Sequence, residues 1–438
     1  MIVVLGGGLA GLSTALHLRR YAPRAAVVVV ERESEPGGLA RSRRVGPFTF
    51  DYTGHYLHLR DQETIALVET LLGDRLTAVE RRAKIFARGA LLDFPFQANL
   101  HGLPAEVVAR CLLDFVAASR AAAPKGGAGP FGAWARETFG EGIAEEFLLP
   151  YNAKLYGVAP DEMTAEWVGW SVPRPSLEEV VRGALGLKVK GLGYNPSFFY
   201  PREGGIGALP AAFAARVADA LRCGAAVEEV DVAARVVRLA GGAELPYEKL
   251  VSTLPLPALL RSLVGSPEAA ALARLAPGLR AAGVVELALG VDRAALAGGL
   301  HWIYFPDPAT PFYRVGFPSN VASSLAPPGH GTISVEFPLA PGGATPERDT
   351  LLAAARAGLE AAGILDGRES IVAADVAPIN PAYVIHDPRR TPLVEEALRR
   401  LAALGIRSIG RFGGWTYSYM ERAIIEGRAA AAALAEGR

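Results

Sequence analysis

Six glycines fall in two tight clusters within the first forty residues, Gly6-Gly7-Gly8-x-x-Gly11 and Gly37-Gly38, with an acid between them at Glu31. Glycine weakens strands and helices, so such clusters serve either a turn or a group lying close against the backbone. The setting decides. Ile2 to Leu5 is a β-branched run, Leu12 to Arg20 has helical periodicity, and Ala26 to Val30 is a second apolar strand that ends in Glu31. Strand, Gly6-x-Gly8-x-x-Gly11, helix, strand and an acid twenty residues after Gly11 make a dinucleotide-binding unit. Its glycines let a pyrophosphate reach the amides and dipole at a helix N-terminus. Glu31 is placed to accept hydrogen bonds from the adenosine ribose hydroxyls.

A nicotinamide dehydrogenase has no use for the second cluster, Glu35-Pro-Gly37-Gly38-Leu39-Ala40-Arg41-Ser42. This stretch resembles the flavoenzyme superfamily of amine oxidases, protoporphyrinogen oxidases and UDP-galactopyranose mutases. The resemblance implies a loop along the FAD phosphates and ribityl chain, with Gly38, Leu39, Arg41 and Ser42 beside the cofactor. It also implies a contact at Val227 and a final turn at Gly410-Arg411 approaching the flavin ring. FAD is therefore the expected cofactor, with an external reductant or NAD(P)H to reduce it.

The bulk of the chain narrows the possibilities further. At 438 residues it exceeds one ordinary core. Lys+Arg and Asp+Glu both number 45, so no global field recruits nucleic acid or an anionic membrane. Only six of the basic residues are lysines, a skew that with the many alanines suggests a GC-rich bacterial genome. Cys111 and Cys223 form no metal or redox pattern, which suits a reduced cytoplasmic setting. No apolar run reaches the roughly 18 residues of a membrane span. The opening residues lack the basic region of a signal peptide and read as a first strand.

After the strand Phe48 to Asp51, helical patterns run from about Thr64 to Gly186, interrupted by an Ala/Gly/Pro linker, Ala121 to Pro130. Val227 to Val237 and Lys249 to Thr253 read as strands of the nucleotide domain. Val284 to Leu289, His301 to Phe305, Tyr313 to Phe317 and Thr332 to Phe337 alternate like an antiparallel sheet. A strand at Ile406 to Gly410 and an Ala-rich helix at Ala423 to Glu436 close the chain. The expected fold class is α/β: a Rossmann-like FAD-binding domain of the glutathione-reductase/amine-oxidase type, with inserted helical and antiparallel-sheet substrate parts. The FAD domain would take residues 1–75, 198–260 and 376–438, the helical part 76–197 and the sheet part 261–375.

Longer phrases resemble the UDP-galactopyranose mutases. They include Gly54-His55, Phe94-Pro-Phe-Gln97-x-Asn99, Pro150-Tyr151-Asn152-x-Lys154 and Pro201 to Gly207. Trp302-x-Tyr304-Phe-Pro306, Pro311-Phe-Tyr-Arg314 and Gly410-Arg411-Phe-Gly413-x-Trp415-x-Tyr417 follow in order. The resemblance implies His55 beside the flavin, Tyr304 and Tyr417 orienting a sugar nucleotide, and Asn195 in the same site. Arg314 matches one of two arginines that hold the diphosphate, a task suited to a planar donor fork. The second arginine's place holds Ser171, with Arg174 three residues later as its candidate replacement. The phrase Tyr417-Ser-Tyr419-Met-Glu421 also departs from the family, which leaves the sugar open. Arg314 on an alternating strand suits a structural ion pair as well, and Trp167, Trp302 and Trp415 suit a core.

A mutase implies reduced flavin N5 as nucleophile, with the protein supplying orientation, charge and exclusion of water. That agrees with a sequence showing no Ser/His/Asp, Cys/His or paired-carboxylate arrangement. An oxidoreductase of the amine oxidase or protoporphyrinogen oxidase type, taking a hydride from a small substrate, uses the same FAD domain. A nucleotide-sugar binder retaining FAD as a structural part is the third reading.

Overall fold

The computed structural model describes residues 1–121, 127, 129–169, 172–187 and 196–437. Distant stretches of chain build one parallel sheet, in the spatial order Ile406–Ser408, Lys249–Ser252, Ile2–Leu5, Val27–Val30, Leu221–Arg222. Ile2–Leu5 lies at its centre, with Val3 opposite Leu250 on one side and Val28 on the other. Val3 and Leu5 enter one buried cluster with Leu256 and Leu260, while Val4 enters another with Leu12. A strand covered on both faces loses alternation and reads as a continuous apolar run, as this one does. Helix Leu9–Tyr21 follows it and packs against the C-terminal helix Met420–Ala435. The approach is close enough that a Cβ at Gly427 would stand 2.5 Å from the Ala10 carbonyl.

Val227 to Val237 does not join this sheet as expected. Val227–Asp231 and Val236–Leu239 pair antiparallel in a separate four-stranded sheet with Glu244–Pro246 and Leu263–Val264. The Asp231 carboxylate accepts from the amides of Ala233 and Ala234, and Arg235 takes φ 54°, so the chain turns where a single strand was read. Only Lys249–Ser252 enters the parallel sheet.

The larger sheet has seven strands, ordered Ile371–Val384, Ala281–Val291, Gly331–Leu339, Arg314–Gly316, Trp302–Tyr304, Ala83–Ala87, Ala90–Asp93. Its last two strands lie where helical periodicity was expected. Arg88 (φ 50°) and Gly89 (φ 76°) make a two-residue turn between them, and both central residues have the left-handed backbone that such hairpins require. Leu76–Glu80 is also a strand, paired with Ser197–Pro201. Helices begin in earnest at Ala105–Arg120 and continue with Phe131–Ile143, Leu149–Tyr156 and Leu177–Ala184. A π-helical turn, Ala144–Leu148, joins the second of these to the third. Most of the linker Ala121 to Pro130 lies outside the described residues, as do Ser171 and Asn195. No helix among the described residues is long and apolar enough to cross a membrane.

His386 sits where the helical part meets the end of the sheet. It is 5% exposed, and its carbonyl accepts from the amide and hydroxyl of Thr164. Neither ring nitrogen has a hydrogen-bond partner among the described residues. Burial, then the charges of Arg390 and Arg411, lower its pKa to about 4. Between pH 6.5 and 4 the unfolded chain therefore binds a proton that the native chain refuses, and stability falls as pH falls through that window. At pH 5 the cost is about 2 kcal/mol. Urea unfolding at pH 7 and pH 5 should show His386→Leu losing less stability than wild type by about this amount. Equal losses in the two proteins would refute the assignment.

Candidate functional site

Around the first helix, backbone approaches backbone. Gly6 has φ 99°, and a Cβ at Gly11 would stand 2.0 Å from the Gly6 carbonyl oxygen, so the turn admits no side chain there. Gly37 donates its amide to the Gly7 carbonyl at 2.8 Å. A Cβ on Gly38 would meet the Gly8 Cα at 3.4 Å. The two glycine loops therefore stack on one another over the N-terminus of helix Leu9–Tyr21, whose first turn carries no acid. That end is free to meet an anion.

Glu31 is 8% exposed, with one carboxylate oxygen accepting from Gly7 at 2.8 Å and the other from Glu33 at 3.0 Å. Its backbone accepts from Ala225, two residues before Val227. Gly410 (φ 81°) brings the last segment to the same helix, where its Cβ would lie 3.1 Å from that of Ala10.

Arg41 and Ser42 have internal work. Arg41 donates to the Gly38 carbonyl at 3.0 Å and lies over the Tyr52 ring. The Ser42 hydroxyl donates to Asp51 at 2.6 Å and accepts from the Gly207 amide at 2.8 Å. Asp51 also accepts from Tyr200 and from the Ile206 amide. Burial raises its pKa to about 6 against these hydrogen bonds. Ser42 and Asp51 thus sew the first segment to the turn at Pro201 to Gly207.

A cavity of about 470 Å³ opens beside Leu39, next to the second glycine loop. His55, Tyr304, Arg314, Arg411 and Tyr417, expected from sequence, all line it. Burial first, then Arg411, lowers the His55 pKa to about 4, so its imidazole is neutral at physiological pH. Tyr304 and Arg314 face one another across two paired strands. Arg411 donates to the carbonyls of Ser418 and Ala382 and stacks 4.8 Å from the Tyr417 ring. The buried Ser418 hydroxyl lines the cavity and has no partner among the described residues, so it can serve a bound group.

Arg314 is also the ion-pair arginine that its strand allowed. Nε and Nη2 each lie 2.8 Å from the Glu336 carboxylate, which also accepts from the Tyr313 hydroxyl at 2.6 Å. Nη1 makes no hydrogen bond among the described residues, so a guanidinium edge remains for a ligand. Arg174 does not line the cavity. It is exposed and stands over the Trp134 ring at 5.2 Å, in the helical part.

Sequence reasoning missed Tyr56, Arg60, Arg81 and Tyr383, and favoured a core for Trp302, which lines the cavity stacked on Tyr56 at 5.0 Å. Alternation could have found Tyr383 had the strand Ile371–Val384 been recognised. Arg81 stands between two paired strands and carries no motif.

Residues 4–71 match the family model of a NAD(P)-binding Rossmann-like domain. A phytoene dehydrogenase of Streptomyces griseus is 41% identical over 98 residues, 21% of this chain and 19% of the relative, so the chain spans about a fifth of that protein's length. The crystal structure of a reduced UDP-galactopyranose mutase superposes with a TM-score of 0.94 at 26% identity, over 100% of this chain and 94% of that one. A candidate protoporphyrinogen oxidase from Exiguobacterium sp. 255-15 superposes at 0.75 with 16% identity, over 100% and 99%. With two stacked glycine loops, an acid between them and a full-length match of this kind, the chain has the fold of a UDP-galactopyranose mutase, built on a Rossmann-like dinucleotide-binding unit whose cofactor is FAD.

Proposed function

We propose that the chain isomerises a nucleotide sugar in the manner of a UDP-galactopyranose mutase. The observation that carries this reading is the charge of the cavity wall. Among the described residues Arg60, Arg81, Arg314, Arg411 and Arg422 line it; Arg314 and Arg422 are paired with Glu336 and Glu426, which do not line it, and the one lining acid, Glu421, is committed to the amides of Arg60 and Asp61. Such a wall favours an anionic ligand and opposes the cationic substrate of an amine oxidase. The mutase likeness over the whole chain supports the same choice.

In this reading Gly6, Gly8, Gly11, Gly38 and Gly410 let FAD lie against the backbone, with Glu31, Leu39, Val227, Arg411 and Tyr417 beside it. Arg41 and Ser42 shape the loop. Reduced flavin supplies a nucleophilic N5 for the anomeric carbon. The free edge of Arg314 holds the diphosphate, Tyr304 and Tyr417 orient the sugar, and neutral His55 offers a hydrogen bond without adding charge. Asn195 belongs to the same reading from its motif alone. Arg174, exposed on Trp134, has no part in it.

Three measurements test this. In apoprotein titrated with FAD, Glu31→Ala should bind with a loss of about 1–3 kcal/mol, because the amides of Gly7 and Glu33 lose their acceptor along with the ribose. Unchanged affinity would remove Glu31 from the cofactor site. For the substrate, dithionite-reduced holoenzyme should interconvert ring forms of a nucleotide sugar from a panel led by UDP-galactose, consuming no electron acceptor. Arg314→Lys keeps a charge against Glu336 but loses the fork, so UDP binding should weaken by about 2 kcal/mol with FAD content unchanged. Failure of every nucleotide sugar, alongside bleaching of the flavin by an amine or a porphyrinogen, would establish the oxidoreductase alternative.

A further inference from the structure

The hairpin that carries Tyr304 and Arg314 is held from outside its own sheet. Trp302–Tyr304 runs into a connection that returns at Arg314–Gly316, and the Phe305 amide donates to the Tyr313 carbonyl at 2.9 Å. Within that connection three carbonyls converge on one cation. Lys154 Nζ donates to Phe305 at 2.9 Å, to Phe312 at 3.2 Å and to Asp307. An ammonium has three N–H donors and no acceptor, so these three carbonyls saturate it. The pair is not ionic: among the described residues no carboxylate lies within ion-pair distance of Lys154, and the Asp307 side chain accepts instead from the Ala309 amide.

Lys154 reaches the hairpin because of the helix it stands on. Leu149–Tyr156 follows the π turn Ala144–Leu148, which shifts the helix face by one residue. Tyr151, one turn before Lys154, therefore shares its face. The Tyr151 ring stands edge-on to Tyr304 at 5.6 Å and to Tyr313 at 6.2 Å. One helix face thus grips the hairpin twice, through an aromatic contact at its strands and a cation at its tip.

We propose that Lys154 is a positioning residue for the cavity: its ammonium pins the connection Phe305–Tyr313 to the helical part and so fixes where Tyr304 and Arg314 present themselves. Burial lowers its pKa to about 8, and the nearby Asp307 charge offsets only part of that. The arrangement ties the sheet wall of the cavity, at Tyr304 and Arg314, to the helical part behind it. Its consequence for a ligand rests on the nucleotide-sugar reading; its consequence for the hairpin does not.

The test uses holoenzyme and hydrogen–deuterium exchange of the peptides spanning residues 302–316. In Lys154→Met these amides should exchange at least tenfold faster than in wild type, while Ile2–Leu5 and the visible flavin spectrum stay unchanged. In Lys154→Ala, propylammonium in the buffer should restore protection, because it returns the cation that the side chain supplied. Neutral propanol should not. UDP affinity of Lys154→Met should fall about tenfold. Unchanged exchange across 302–316 would overturn the proposal, and so would a loosened hairpin that binds UDP as tightly as wild type. If wild type itself binds no UDP, the nucleotide-sugar reading fails, and the exchange and propylammonium results decide Lys154 alone.

Discussion

Two glutamates stand directly opposite one another on adjacent strands, Glu286 on Ala281–Val291 and Glu336 on Gly331–Leu339, each about 1% exposed. Like charges so placed repel, and leaving water costs each of them several kcal/mol unless it is met by a cation. Each is met by a different arginine from a different part of the chain. Arg43, from the strand after the second glycine loop, donates to Glu286 at 2.8 Å and also reaches Asp375. Arg314 takes Glu336. The Ser334 and Tyr313 hydroxyls complete the two carboxylates at 2.7 and 2.6 Å. Burial still raises the pKa of Glu286, so the Arg43 charge offsets only part of its desolvation. This row of charges joins the segment after the second glycine loop to the seven-stranded sheet, and Arg314 cannot move without leaving a buried carboxylate unpaired. A cavity cation that must stay put is a preorganised one.

The same constraint explains which parts of the site were legible. The glycine loops and Glu31 are local: turn, close approach and acid fall within forty residues, and a Cβ at Gly6, Gly11 or Gly37 would stand closer than 3 Å to its neighbours. Arg314, Tyr304 and Tyr417 came from phrases in one strand or turn. What was not legible lies in pairings across long separations. Ser42 looked like a cofactor residue because of its place after Gly38, yet its hydroxyl donates to Asp51 and accepts from Gly207. Arg174 looked like a substitute because it is close in sequence to Ser171, but its guanidinium settles on Trp134. Tyr56 and Arg81 become part of the cavity only when the strands beyond them pair.

The misread strands have related causes. Ala83–Ala87 and Ala90–Asp93 are rich in alanine and leucine, which favour helix, and only the Arg88-Gly89 turn distinguishes them. Ile371–Val384 carries Pro378 and Pro381, which normally argue against a strand. It is tolerated because the strand lies at the sheet edge, where a missing amide leaves no neighbour unpaired. Propensity lost to tertiary pairing in the first case, and to edge position in the last.

The departure from the mutase phrase after Tyr417 has a structural use in this chain. Glu421, 2% exposed, receives the amides of Arg60 and Asp61, and Asp61 in turn caps helix Gln62–Leu72 and pairs with Arg428. The start of the C-terminal helix is thereby tied to the loop after His58. Ser418, Tyr419 and Met420, the residues between Tyr417 and this tie, all line the cavity. The altered phrase thus closes one side of the site with a fixed wall, whose polar contribution is the unpartnered Ser418 hydroxyl. A fold shared with oxidases and mutases says little about the ligand. On the nucleotide-sugar reading proposed above, ligand preference is set at this wall, because it is the part of the cavity that neither the glycine loops nor the glutamate pair dictates.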